Sequence, residues 1–303
     1  DIALLSVSLT VHSTRRIAEE AERAGHYVEL IDHTKCSVTL GEGPPKIFLG
    51  EEDVTHEFDA IIPRIGAKVT RHGAAIVKQF EMNNVFSTAR SLGITRARNK
   101  VRTLQIMRRK GVPVPPTLFS INPDNIEAQI ELLGGPPVII KLQEGTHGYG
   151  VILAESKKSA KSIIDTFYKM DTNIFLQQFI SEANGEDVRL IVVGNRVVAS
   201  MKRKSKLDDF RSNVHQGAET EAIIPTEKEK NMAVSATKYL GLGVAGVDLI
   251  RSKQGPLLIE VNASPGLRGI EAATNVNVAK EIINYVERNA RRKPKSYKSM
   301  APK

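Results

Sequence analysis

The 303-residue sequence contains a single cysteine, Cys36. No internal disulfide can form, and inert packing is the expected role of that thiol. No run of about eighteen apolar residues occurs, so a membrane-spanning helix is not expected. The seven histidines show no H-x-x-x-H spacing and no paired cysteines accompany them, which leaves zinc without a ligand set. The opening Asp1-Ile2-Ala3-Leu4-Leu5 lacks a basic flank and a small-residue cleavage site. It reads as a first strand rather than a signal peptide, and the cytoplasm is the expected compartment. The first strand-to-helix turn, Val7 to Ser13, contains no glycine, so a dinucleotide pyrophosphate has no close backbone approach and a nicotinamide dehydrogenase is disfavoured.

Acidic residues are missing from one place in particular. The formal charge is +9, yet residues 288–303 hold Arg288, Arg291, Arg292, Lys293, Lys295, Lys298 and Lys303 with no acid. Setting these aside leaves 36 basic against 34 acidic residues. The basicity therefore belongs to a tail, expected to be disordered, that is either a solvated end or a loose attachment to RNA such as a ribosome.

What is present alternates between strand and helix patterns. Ile2–Ser6, Tyr27–Asp32 and Phe58–Pro63 read as strands around a helix at Thr14–Ala24, giving a small parallel α/β sheet over residues 1–93. A second unit, 94–175, opens with a helix around Arg98–Lys110. It continues through strands Val138–Leu142 and Val151–Ala154 and helix Lys158–Lys169. A third, 176–287, is introduced by strand Ile174–Ile180. It contains strands Val188–Val193 and Arg196–Lys202, helix Glu227–Leu240, a hairpin over 244–262 and helix Val278–Asn289.

The hairpin is the most informative element. Val244–Ile250 and Pro256–Asn262 flank the turn Arg251-Ser252-Lys253-Gln254-Gly255. Side chains alternate along a strand, so Glu260 and Asn262 share a face. Folding about Gln254 sets Asp248 opposite Glu260, with side chains about 5 Å apart. Val247, Leu249, Ile259 and Val261 then cover the other face. Two carboxylates and an amide oxygen make a hard-oxygen site suited to Mg²⁺ or Mn²⁺, completed by substrate phosphates. Two opposed acids that merely decorate a solvent face would repel unless something neutralised them.

Lys141 ends the apolar run Pro137-Val-Ile-Ile and precedes, with one residue between, Gln143-Glu-Gly145-Thr146-His147-Gly148-Tyr-Gly150. Three glycines allow backbone N–H groups to approach phosphates and let the loop move as a lid. No Gly-Lys-Ser/Thr follows and no helix opens there, so this is not a Walker loop. Gly241-Leu-Gly-Val-Ala-Gly246 fits G-x-G-x-x-G, but it runs from helix to strand, the reverse of the dinucleotide order.

These features resemble the ATP-grasp superfamily and, within it, the RimK-type α-L-glutamate ligases. The resemblance covers residues 2–288 and is densest in Pro63-Arg64-Ile-Gly66, Ala97-Arg98-Asn-Lys100, Val138 to Gly150, Asp209-Phe-Arg211-Ser-Asn213 and Glu260-Val-Asn262-Ala-Ser-Pro-Gly266-Leu. It implies an N-terminal Rossmann-like pre-ATP-grasp domain followed by two α+β subdomains gripping ATP. By resemblance, Lys100 and Lys141 hold the phosphates, with Gly145, Thr146 and Gly148 in the lid and Ser212 beside them. Gln178, Phe179 and Ile180 line the adenine, and Asp187 binds the ribose. Asp248, Glu260 and Asn262 bind two magnesium ions. Lys141, Arg211 and Asn213 face the reacting groups. The sequence departs from the family where Gln178 replaces a usual glutamate and His147 a usual glutamine.

The reaction so implied is addition of L-glutamate, through an acyl phosphate, to the C-terminal α-carboxylate of a protein or peptide such as ribosomal small-subunit protein S-six. The enzyme is expected to be a homo-oligomer, a tetramer by analogy. Arg64 and the basic run Lys202-Arg203-Lys204-Ser-Lys206 are candidates for carboxylate recognition, though such a run is also an ordinary solvated edge, and Asp187 also suits a turn cap. Rival readings are an ATP-grasp ligase acting on a carrier-protein or small-molecule carboxylate, and a non-catalytic ribosome-associated ATP-binding protein.

Overall fold

A computed structural model describes residues 1–120, 124–143, 150–205 and 219–290. The chain begins with β1 (Ile2–Leu5), α1 (His12–Arg23), β2 (Val28–Ile31), the short strands β3 (Cys36–Thr39), β4 (Lys46–Leu49) and β5 (Glu52–Asp53), β6 (Ala60–Pro63), α2 (Thr70–Met82) and β7 (Phe86–Ser87). Strands β2-β1-β6-β7 form a parallel sheet, while β3, β4 and β5 pair as a separate antiparallel ribbon. That ribbon occupies a stretch whose glycines and prolines read as loop in the sequence.

Two helices then cross to the next unit: α3 (Ser91–Arg98) and α4 (Lys100–Arg109). The helix expected around Arg98–Lys110 is α4, set off from α3 where Asn99 takes an extended conformation and its side chain accepts from Arg102 N at 2.9 Å as a cap. Gly93, where the first unit is expected to end, is not a loop residue. It lies inside α3, where an added Cβ would stand 2.8 Å from the Leu242 side chain and 2.9 Å from Gly241 O.

The central sheet combines β8 (Thr117–Phe119), β9 (Val138–Leu142), β10 (Val151–Ala154) and β11 (Ile174–Gln178) in the order β10-β9-β11-β8, covered by α5 (Ile126–Glu131) and α6 (Lys157–Lys169). The strand at Ile174, expected to open the third unit, instead pairs with β9 and β8. The third sheet, β14-β13-β12-β15-β16, contains β12 (Glu186–Val193), β13 (Arg196–Lys204), β14 (Glu219–Ala222), β15 (Val244–Ser252) and β16 (Gly255–Asn262), with α7 (Glu227–Leu240), α8 (Arg268–Thr274) and α9 (Val278–Asn289).

Strand alternation distributes the core. Ala3, Leu5 and Ile61 enter one cluster with Val188, Leu190, Val247, Leu249 and Val261. Ile2, Leu4, Ala60 and Ile62 enter another with Ile191, Val193 and the α9 residues Val278, Ile282, Ile283 and Val286. The first and third sheets are thus joined through two shared cores. The central sheet keeps a cluster of its own around Val138, Ile140, Ile164 and Leu176. Among the described residues no helix is long and apolar enough to cross a membrane.

Candidate active site

One face of the third sheet presents charge where the other presents core. Register pairs Asp187 with Arg203, Arg189 with Asp248, and Asp248 with Glu260. Paired residues in an antiparallel sheet share a face, so these side chains form a row across β13, β12, β15 and β16. Val188, Val247, Leu249 and Val261 fill the reverse side.

The hairpin reaches this arrangement by a route that the sequence does not display. Ser252 pairs with Gly255, so the turn is two residues long, and simple counting would set Asp248 opposite Ile259. The two-residue turn sets Leu258 opposite Leu249, and a bulge after Asp248 restores the pairing of Asp248 with Glu260. Leu258 is therefore fully buried, and Ile259, expected on the core face, is only partly so.

Asp248 is 5 % exposed. Arg189 donates from Nε to its Oδ1 at 2.7 Å and from Nη2 to its Oδ2 at 2.6 Å, and Arg203 Nη2 reaches Oδ2 at 3.0 Å. Arg203 also donates from Nε to Asp187 Oδ1 at 2.6 Å. Burial alone would raise the Asp248 pKa, but the two guanidinium groups hold it far below the usual carboxylate range. The repulsion between opposed acids is therefore relieved by arginines within the protein. Asp187 faces Arg203 inside β12, and the turn reading fails: Asn184 and Gly185, both with positive φ, make the turn instead. The described part of the basic run, Lys202 to Lys204, is likewise no free cationic edge. Arg203 is buried, Lys202 lies 3.1 Å from Glu221 and Lys204 lies 3.6 Å from Glu186.

Lys141 comes to this row from the central sheet. It pairs in register with Phe175, and its Nζ donates to Gln177 Oε1 at 2.6 Å. Burial, reinforced by Lys100, pushes its pKa down to about 8, against the opposing pull of Glu260, Asp187 and Asp248. Five sequence-selected residues thus share one electrostatic neighbourhood. Lys100 opens α4 directly after Asn99 and lines a small cleft with Arg98, Glu260, Asn262 and Ala263. Gln178 ends β11, its N–H donating to Pro116 O at 2.9 Å, with Phe179 and Ile180 partly buried beyond it. Gly145, Thr146, Gly148, Lys206, Arg211, Ser212 and Asn213 lie outside the described residues. Gly150, at the end of the lid, has φ +76° and no room for a Cβ, which would meet Leu142 at 2.3 Å.

The donor set fits a hard divalent cation: two carboxylates and the Asn262 amide on adjacent strands, with Glu260 and Asn262 lining a cleft beside Lys100. No group of three His, Cys, Asp or Glu gathers among the described residues; Asn262 is the amide oxygen nearest in register to the two acids. Sequence reasoning missed Arg189 and Arg203 as partners of Asp248. The available signal was Asp187-Val-Arg189, whose period of two puts acid and base on one face.

Comparison with known proteins identifies this arrangement. Residues 97–286 match the model of the RimK-like ATP-grasp domain and residues 1–94 that of the RimK PreATP-grasp domain. Proteins named "Probable alpha-L-glutamate ligase" are similar to the chain. That of Marinobacter nauticus is 49 % identical over 288 residues, 95 % of each chain, and that of Coxiella burnetii 48 % over 291 residues, 96 % of each. Among solved structures, the ATP-grasp ligase PsnB with its minimal precursor superposes with a TM-score of 0.75 at 21 % identity, covering 95 % of this chain and 98 % of that one. A RimK domain ATP-grasp protein of Sphaerobacter thermophilus gives 0.72 at 22 %, covering 94 % and 98 %. Fold and site define an ATP-dependent carboxylate–amine ligase of ATP-grasp architecture. Within that class the chain belongs to the RimK-like ATP-grasp family.

Proposed function

We propose that the enzyme joins L-glutamate to the C-terminal α-carboxylate of a protein or peptide, ribosomal small-subunit protein S-six being the leading acceptor, through an acyl phosphate. The observation that carries this reading is the meeting of Lys141 and Lys100 with Asp187, Asp248 and Glu260. Two cations suited to phosphates face an oxygen-rich hairpin suited to a metal. The names of the relatives favour glutamate as the amino acid.

In this reading Gln178, Phe179 and Ile180 receive the adenine and Asp187 the ribose. Lys100, Lys141, Gly145, Thr146, Gly148, Ser212 and Asn213 surround the phosphates. Asp248, Glu260 and Asn262 would hold Mg²⁺ or Mn²⁺, as one or two ions, which supplies charge neutralisation on the transferring phosphoryl group. An acceptor carboxylate oxygen attacks the γ-phosphorus in line and ADP leaves. Lys141 and Arg211 offset the charge that spreads over the phosphoryl oxygens. The lid, closed over the acyl phosphate, excludes the water that would hydrolyse it. The amine of glutamate then attacks the acyl carbon. Phosphate departs with the former carboxylate oxygen, and the amine releases a proton as the peptide bond forms.

In this reading 1–93 is the pre-ATP-grasp unit, 94–175 carries the glycine-rich lid side of the nucleotide, and 176–287 the metal side. The basic residues of 288–303 suit contact with ribosomal RNA, and a tetramer is the assembly expected by analogy. The test is incubation with ATP, Mg²⁺, glutamate and a peptide ending in glutamate. ADP release with a mass gain of one glutamyl residue supports the reading; absence of both removes it.

A further inference from the structure

Arg64 follows β6 at the carboxyl edge of the first sheet, its N–H donating to Leu5 O at 2.9 Å. Its Nη2 donates to Pro265 O at 2.8 Å, while its Nε is shielded from water without a hydrogen-bond partner. Burial lowers its pKa to about 10, which still leaves it charged at neutral pH. Arg189, Arg203 and Arg251 each meet a buried carboxylate. Among the described residues no ion pair is formed by Arg64. Arg64 is partly buried, and a cation withdrawn from water without an anion is costly unless a ligand supplies one.

The surroundings point the same way. The strand order β2-β1-β6-β7 reverses between β1 and β6, and such reversals open the crevice in which α/β sheets take ligands. The twelve-residue helix α1 starts there; no side chain caps it and no acid occupies its first turn. Nδ1 of His12, its first residue, is also buried without a partner. Leu267 N donates to Ser13 Oγ at 2.9 Å, so the start of α1 and Arg64 are fastened to one segment at positions two residues apart, no more than about 7 Å along the chain. That segment follows Asn262 by three residues.

We infer that this crevice binds a non-reacting carboxylate of the incoming amino acid, with Arg64 as its anchor and His12 and the first turn of α1 beside it. The assignment rests on the ligase reading above. The acceptor carboxylate must stand at the γ-phosphate and is consumed there. Glutamate reacts through its amine and brings two carboxylates that remain charged throughout. A guanidinium held without an acid of its own separates a carboxylate from its neutral amide, because the amide leaves the buried charge unmatched.

The test begins with the wild-type enzyme, ATP, Mg²⁺, the acceptor peptide and hydroxylamine in place of glutamate. Hydroxamate formation establishes the acyl phosphate without the amino-acid site, and its absence counts against the ligase reading itself. Glutamate, glutamine and isoglutamine are then compared as amine donors. Wild type should prefer glutamate over at least one of these amides, which identifies whether the side-chain or the α-carboxylate is held. In Arg64→Gln, KM for glutamate should rise at least about 30-fold, the loss of one charged hydrogen-bond partner, with KM for ATP within about threefold. The preference for the acid should collapse. Arg64→Lys should keep the preference while binding more weakly, and it decides the matter if Arg64→Gln does not fold. An unchanged acid-to-amide preference in Arg64→Gln, or its loss in Arg64→Lys with KM for ATP rising equally, overturns the assignment.

Discussion

Replacing Asp248 with asparagine should weaken the ligand-free fold as well as the chemistry. The substitution removes one charge from a cluster in which Arg189 makes a two-point contact and Arg203 a third. Breaking a buried pair by deleting one partner typically costs about 3–5 kcal/mol. Arg203 keeps Asp187, and the Arg189 side chain is 17 % exposed, so the expected loss is smaller, about 2–4 kcal/mol. At about 2–4 °C per kcal/mol, the melting transition should fall by on the order of 5–10 °C. Asp248 has a folded pKa below its unfolded value. Its contribution is therefore present above the unfolded pKa, about 3.9, and is lost as pH falls below it. Wild type and Asp248→Asn should converge in acid and separate near neutrality. Glu260→Gln is the control, since no ion pair among the described residues includes Glu260. It should melt within about 0.5 kcal/mol of wild type, yet both variants should lose turnover by at least about 10²-fold. Scanning calorimetry of the ligand-free proteins at several pH values decides it. Equal melting of wild type and Asp248→Asn at neutral pH would refute the arginine clamp.

Further expectations concern Lys141 and Gly93. With its pKa lowered to about 8 by burial and by Lys100, free Lys141 loses its proton as pH rises through that value, and bound phosphate favours the charged form. ATP binding above pH 8 should therefore take up a proton and weaken with rising pH, as read by calorimetry in buffers of different ionisation enthalpy; Lys141→Met should abolish that linkage. Gly93→Ala should cost about 1–3 kcal/mol by overpacking where its Cβ meets Leu242 and Gly241 O, measured by denaturant unfolding. A change below about 0.5 kcal/mol would show that α3 shifts freely.

Long, strongly patterned elements were legible in the sequence because a single periodicity decides them. Helices Glu227–Leu240 and Val278–Asn289 and strands Val138–Leu142 and Val151–Ala154 are found at the residues that the pattern indicates. The three-residue strand β8, the two-residue strands β5 and β7 and the helix α8 offer too few positions for a period to emerge. Ile174–Gln178, expected to open the third unit, pairs within the central sheet, because an apolar run identifies a strand without naming its neighbours. The opposition of Asp248 and Glu260 is legible in strand alternation, but the two-residue turn and the bulge that together produce it leave no mark in the sequence. The arginine clamp escaped notice since Arg203 sits 45 residues from Asp248 in the chain. A basic run looks the same in sequence whether it faces solvent or carboxylates.

Activation of the acceptor carboxylate by direct attack on the γ-phosphate can be followed with an acceptor peptide whose terminal carboxylate carries heavy oxygen, incubated with ATP, Mg²⁺ and glutamate. Each turnover should release ADP and an inorganic phosphate bearing one heavy oxygen, matched by one peptide bond formed. Glutamyl peptide accompanied by unlabelled phosphate, or by AMP and diphosphate, would contradict the account.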